Sequence, residues 1–249
     1  LGINQTVTVQ ASLRNYGERN HEALRVIFHA DGKPVDEQQI PLGAGERRQV
    51  RFRHSFDTPG SHVIEVATDA DSLKADNIFR ASIPVWDKVP VLVINGAPDT
   101  EPLKGETDFL QIALQPYREG GEPQLVDLLE SRIINVADFN AAAIGDTRVV
   151  VLANVSQLQR SQLNELQTFV KDGGGLMIFG GDQLDQRWYN EQLLPYGLLP
   201  ARLGEVADKR NDPEPFTRMV VQRFDHPALK IFSNPRNGDL ASAEVRQWH

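Results

Sequence analysis

From Thr6 to Val85 apolar residues recur at nearly every second position, in "VTVQASL", "LRVIFH", "VRFRHSF", "HVIEVAT" and "IFRASIPV". A period of two is that of strands with one buried face. Turn signals part these runs at short intervals: "YGERN", "ADGK" with its Asp31-Gly32, "LGAGE" and "TPGS". Such spacing suits hairpins rather than crossover helices. Residues 1–86 are therefore expected to form an Ig-like antiparallel β-sandwich. The densest basic run, "ERRQVRFRH", alternates Arg51 and Arg53 with Val50 and Phe52, as on the wet face of a half-buried strand.

The period changes between Val85 and Val89, close to Trp86 and Pro90. "VPVLVING" is a nearly continuous apolar run of the kind buried on both faces in a parallel sheet, and "RVVVLANV" and "GGLMIFGG" repeat it. Helical patterns lie between them. Phe109, Leu110, Ala113 and Leu114 make one apolar stripe; Leu163, Leu166 and Val170 make another, with Gly173 placed as a left-handed cap. Strands alternating with helices predict an α/β doubly wound parallel sheet over residues 87–249. The tail from Gly204 is rich in charge and Pro and has one strand candidate, "TRMVVQRF". The start at Leu1 without an initiator Met, and the end at "RQWH", read as cuts from a longer protein.

A chain of 249 residues, 40% hydrophobic, is long enough for two such domains. Its net charge of -8 argues against nucleic acid as a partner, since that affinity depends on clustered Lys and Arg. Cysteine is absent, which removes disulfides, thiolate metal sites and any cysteine nucleophile. Gly173 to Gly175 precede their strand, whereas a dinucleotide fingerprint follows one, and no phosphate-binding P-loop is present. No cofactor is expected.

In an open parallel sheet, ligands bind beyond the carboxyl ends of the strands. There stand "NGAPDTE", "NVSQ" and "GGDQ", so Asn95, Asp99, Asn154, Gly181 and Asp182 are expected to line one crevice. Carboxylates and amides suit a cationic group, a polyol or a hard cation better than phosphate, and Lys104 is the basic residue nearest these loops. A strand, a Gly-rich turn and a helix also form the geometry that exposes a nucleophile in hydrolase-like folds. In "FGGDQ" and its surroundings only the carboxylates Asp182 and Asp185 could act covalently, and the commoner role of such Asp residues is turn or cap chemistry. His226 in "FDHPAL" is the natural general base, with Asp225 beside it; against this, Asp225 and Pro227 also suit a turn with His226 at the surface. The loop "TDADSLKADN" offers Asp69, Asp71, Asp76 and Asn77 as oxygen ligands. Its spacing departs from an EF-hand, and self-bonded loop chemistry is the more frequent origin, so no metal site is assigned.

"ASLRNYG", "DSLKADN" and "VPVLVING" resemble bacterial membrane-anchored proteins of the BatA (aerotolerance-type) group. That resemblance implies a CARDB-like sandwich followed by a class I glutamine amidotransferase-like, flavodoxin-like domain, with "LNELQTFVKDGGGLMIFGGDQ" similar to the latter's helix and strand. It further implies membrane anchoring through segments outside this chain and a periplasmic, extracytoplasmic location. Amidotransferases carry a Cys at the turn where this chain has Gly180-Gly181-Asp182. The expectation is a non-catalytic protein- or ligand-binding region, its protein partner unidentified. The alternative is a hydrolase using Asp182 with His226 or a bound cation.

Overall fold

The computed structural model of the protein describes residues 1–69, 73, 76–101, 103–117, 127–212, 214–220, 225–227 and 229–248. They gather into two compact units, one of Leu1–Val93, Pro98–Ile134 and Asp146–Val150, the other of Ile94–Ala97, Asn135–Gly145 and Val151–His249.

The first six strands are β1 (Val7–Arg14), β2 (His21–Ala30), β3 (Lys33–Leu42), β4 (Arg47–His54), β5 (Gly60–Thr68) and β6 (Ile78–Val85). They form two sheets, β1-β4 and β3-β2-β5-β6, antiparallel throughout. Five of the six coincide with the period-two runs; β3 is an addition, an edge strand whose polar residues are mostly exposed. The alternation on β4 holds, with Val50 and Phe52 buried and Arg51 and Arg53 exposed. Phe28 and Phe52 stack across the two sheets at 5.3 Å between ring centroids, in the middle of the core. Asp31 and Gly32 both take positive φ, 49° and 77°, as the tight β2–β3 hairpin requires.

Asp31 also holds His62. Its Oδ2 lies 2.6 Å from Nδ1 of the buried imidazole, whose Nε2 is 2.9 Å from the Thr58 carbonyl oxygen. The bond to Asp31 raises the His62 pKa above its ordinary 6.5, and the same bond lowers Asp31 below 3.8. The histidine's contribution is complete below its unfolded value and is lost as pH rises through the raised folded value. The aspartate's is complete above 3.8 and is lost as pH falls through the lowered folded value. The pair therefore stabilises most between about pH 4 and 6.5. In urea denaturation across pH, Asp31→Asn is expected to cost most inside that window and progressively less above it. A deficit that grows steadily toward pH 9 would contradict the pairing.

Four further strands, β7 (Val89–Asn95), β8 (Leu129–Asn135), β9 (Val149–Ala153) and β10 (Gly175–Phe179), form a parallel sheet in the order β10-β9-β7-β8. Starts bond to starts: Val89 N–H donates to Leu128 O and Arg148 N–H to Pro90 O. Ends bond to ends: Gly96 N–H donates to Ala153 O and Asn154 N–H to Phe179 O. Leu92, Val93 and Ile94 of β7 are fully buried, as are Val150 and Leu152 of β9. Helix α1 (Glu106–Leu114) forms where expected but turned: Phe109 is 63% exposed and Ala113 is exposed, while Thr107 is buried. The face turned inward runs through Thr107, Leu110 and Leu114, spaced three and four apart. Helix α2 (Ala141–Ile144) is a single turn, capped by the Asn140 side chain, which accepts the Ala143 N–H. In α3 (Arg160–Lys171) Leu163 and Leu166 are buried as expected, and Gly173 closes the helix at φ 97°.

The expected strand over residues 217–224 is short. β12 covers Thr217–Arg218 and pairs with β13 (Glu244–Val245), while β11 (Ala207–Asp208) pairs with β14 (Gln247–Trp248). Met219 and Val220 are exposed and outside any strand, and residues 221–224 lie outside the described residues. No helix of the described residues is long and apolar enough to cross a membrane.

Candidate functional site

The order β10-β9-β7-β8 reverses direction between β7 and β9, which makes a switch point where Asn95 ends one strand and Asn154 follows the other. Asn154 is 1% exposed and has φ 51°, a left-handed conformation that Asn tolerates better than most residues. From there its carboxamide reaches the turn after β10. Nδ2 donates to Asp182 Oδ1 at 2.8 Å, and Oδ1 accepts the Gln183 N–H at 2.9 Å. Two glycines make room for it. A Cβ on Gly181 would stand 2.5 Å from both Nδ2 and Oδ1 of Asn154, and one on Gly96 would run into the Asn154 main chain.

Asn154, Gly181 and Asp182 are thus brought together with Gly96, the residue after Asn95. Asn95 is buried, and its Oδ1 accepts the Ala97 N–H at 3.1 Å. Asp99 is exposed and is held in its own turn, with Oδ1 accepting the Glu101 N–H at 2.8 Å. Lys104 pairs with Glu101 at 2.5 Å. Asp185 caps α4 (Gln186–Trp188), taking the Trp188 N–H at 3.0 Å, and its other oxygen accepts from Gln157 at 2.6 Å.

The bond from Asn154, followed by that from the Gln183 side chain, holds the Asp182 carboxyl below its ordinary pKa. The Trp188 N–H, and then Gln157, do the same for Asp185. Both groups are anionic at neutral pH, and a carboxylate so stabilised is a weak base and a weak nucleophile. His226 sits at an exposed turn in which its carbonyl accepts the N–H groups of Leu229 and Lys230.

Next to Asp182 opens a pocket of about 600 Å³. Leu176 and Ile178 of β10 form its floor, Tyr189, Leu198 and Leu203 its sides, and Trp248 part of its rim. Asp182 is the one charged side chain in this lining. A single π-helical turn, Tyr189–Leu193, follows α4 and turns Tyr189 fully inside, where its hydroxyl donates to Val155 O at 2.8 Å. Burial pushes that phenol's pKa up, so it remains a neutral donor.

The sequence reading did not single out Gly96, Gln157, Gln183 or Tyr189. A signal existed for Gly96, a glycine directly after a buried strand, where close backbone approach is common. Of the acidic loop, Asp71 lies outside the described residues. Asn77 O accepts the Thr68 N–H at 2.9 Å, which ties that end of the loop to the sandwich. Among the described residues no group of three or more His, Asp or Glu side chains is arranged to hold a metal ion.

Residues 1–77 match the CARDB family model. No curated protein matches the chain. Similar solved structures include a CARDB domain from Pyrococcus furiosus in complex with di-metal ions, at 18% identity and a TM-score of 0.32, covering 34% of this chain and 78% of that one. A domain of a predicted cell surface protein from Methanosarcina acetivorans is 23% identical with a TM-score of 0.31, covering 34% and 80%. A β-glucosidase from Listeria innocua is 17% identical with a TM-score of 0.27, covering 34% of this chain and 14% of the enzyme.

Proposed function

We propose that the chain is a non-catalytic binding region of a bacterial membrane-anchored protein, working on the extracytoplasmic side, and that its second half binds a small ligand at the ends of β7, β9 and β10. The CARDB match over residues 1–77 supports the placement of the N-terminal sandwich among extracytoplasmic modules. The strand order supports a flavodoxin-like, amidotransferase-like second domain over residues 87–249, because β8-β7-β9-β10 follows the 2-1-3-4 pattern of such sheets. Anchoring to the membrane falls to segments beyond this chain.

The observation that carries the binding reading is Asp182. Its carboxylate is pinned by Asn154, kept ionised, and set beside a mainly apolar pocket whose lining also includes Gln247. That arrangement offers a fixed negative charge and an apolar wall, suited to a monocation with a hydrophobic body. It offers no activated nucleophile, and the chain has no thiol to attack an amide.

Two measurements test this. Added glutamine should release no ammonia; release that disappears in Asp182→Asn would establish the hydrolase alternative instead. Benzylamine, titrated by NMR, should shift the amides of residues 180–184, while benzoate should not. Asp182→Asn keeps the hydrogen bond from Asn154 but loses the charge, so the amine should bind about tenfold more weakly, about 1.4 kcal/mol. Equal binding of benzoate, or unchanged amine binding in the variant, would remove the site.

A further inference from the structure

The sandwich has an open side. Among the described residues β1 pairs only with β4, and β6 pairs with β5 and bonds to Leu1 at its Pro84 end, so β1 and the Phe79 end of β6 each present an unpaired edge. Between them lies a groove of about 1140 Å³, lined by Val9, Ala11 and Leu13 of β1, by Ile64 and Val66 of β5, and by Phe79 of β6. Phe79 stands directly opposite Val66 in the β5–β6 register, so both point toward the interior of the sandwich. Val66 is 9% exposed and Phe79 is 70% exposed. The inward side chains of β1, from Val7 to Leu13, are likewise only half buried. The interior face thus continues past the last strand with nothing over it among the described residues.

The outer face of the β1-β4 sheet has a distinct charge. Its cross-strand pairs are Thr8 with Arg53, Gln10 with Arg51, Ser12 with Gln49 and Arg14 with Arg47, all exposed. Four arginines stand there with no acidic side chain on the face, in a chain whose net charge is -8. None of the four forms an ion pair among the described residues. Arg14 and Arg47 face each other directly, an arrangement that costs stability unless an anion is present.

We infer that the β1 edge accepts an extended partner segment in which apolar and acidic residues alternate. Main-chain groups of the segment would pair with the free edge of β1, in the manner of strand addition. Its apolar side chains would fill the groove above Ala11 and Leu13. Its acidic side chains, one residue out of phase, would lie on the arginine face. The inward row from Val7 to Leu13 spans about 20 Å at ~3.3 Å per residue, which a segment of about eight residues covers. The inference is independent of the Asp182 pocket.

Capped peptides of about eight residues decide the matter when titrated into the full chain. A peptide alternating Val and Glu should bind and slow hydrogen exchange of the β1 amides. One alternating Val and Lys should not. The surface variant Arg51→Glu with Arg53→Glu should weaken the first by about tenfold or more and admit the second. Three outcomes overturn the inference. The first is equal binding of a peptide of the same composition with its Val and Glu in separate blocks, which would make the face a plain anion-binding patch. The second is protection of the β1 amides that rises with protein concentration alone, which would mean that a second copy occupies the edge. The third is binding of neither alternating peptide.

Discussion

Gly96→Ala is expected to destabilise the protein by about 3 kcal/mol or more in urea denaturation, at or above the upper end of what overpacking costs. The reason is what the new methyl would meet. It would overlap the Asn154 carbonyl oxygen and stand 2.5 Å from both the carbonyl carbon of Asn154 and Cα of Val155. These are main-chain atoms, and Asn154 is itself held in a left-handed conformation by its bonds to Asp182 and Gln183. Neither side can give way without opening the sheet end, where Gly96 N–H donates to Ala153 O at 2.8 Å. Gly181→Ala should also be costly, because its methyl meets the Asn154 carboxamide. Gly180→Ala is the internal control: its methyl would meet only the tip of Leu184 at 3.1 Å, a flexible side-chain end. The expected order of loss is Gly96, Gly181, Gly180. A Gly96→Ala protein within about 1 kcal/mol of the parent would mean that the two strand ends do not approach as described.

How much of this could be read beforehand depended on burial. β1, β2, β4, β5 and β6 alternate because one face is covered, and β7 and β9 show up as apolar runs inside the sheet; β10 carries the same kind of run at the sheet edge, with Met177 and Phe179 exposed. β3 and β8 left little trace, since each carries a mixed sequence, "KPVDEQQIPL" and "LESRIIN", in place of a clear apolar period. Helix α1 was legible as a helix but not in its rotation: in nine residues two rival stripes differ by one position, and its neighbours placed Thr107 inward rather than Phe109. The switch-point rule brought Asn154 and Asp182 to the same edge from strand order alone. It could not foresee the hydrogen bond that joins them. That bond needs the positive φ of Asn154 and the missing side chain of Gly181, and both are properties of the folded backbone. The apolar pocket was equally hidden, because Leu198, Leu203 and Trp248 reach β10 from segments with no periodic pattern.

Asn154→Asp should reverse the pH response of the same corner. In the parent, the amide of Asn154 donates to Asp182, so the folded pKa of Asp182 is lowered. A lowered carboxyl stabilises the fold above its unfolded value of 3.8, and that contribution is lost as pH falls through the folded value. The variant replaces the donor with a second carboxylate at hydrogen-bond distance from the first. Like charges so close cannot both ionise at ordinary cost, and one of the pair takes a raised folded pKa. A raised carboxyl destabilises the fold above that value and relaxes as pH falls below it, when the shared proton restores a donor between the two groups. The Gln183 N–H keeps an oxygen acceptor in either case, so the difference reports the Asp182 contact. At pH 7 to 8 the variant should melt roughly 5 °C or more below the parent, and near pH 4 the gap should narrow to a small fraction of that. A gap that stays constant from pH 4 to 8 would show that the two side chains do not meet in solution. Asp182 would then be an ordinary surface carboxylate, and the pocket would lose its anchored charge.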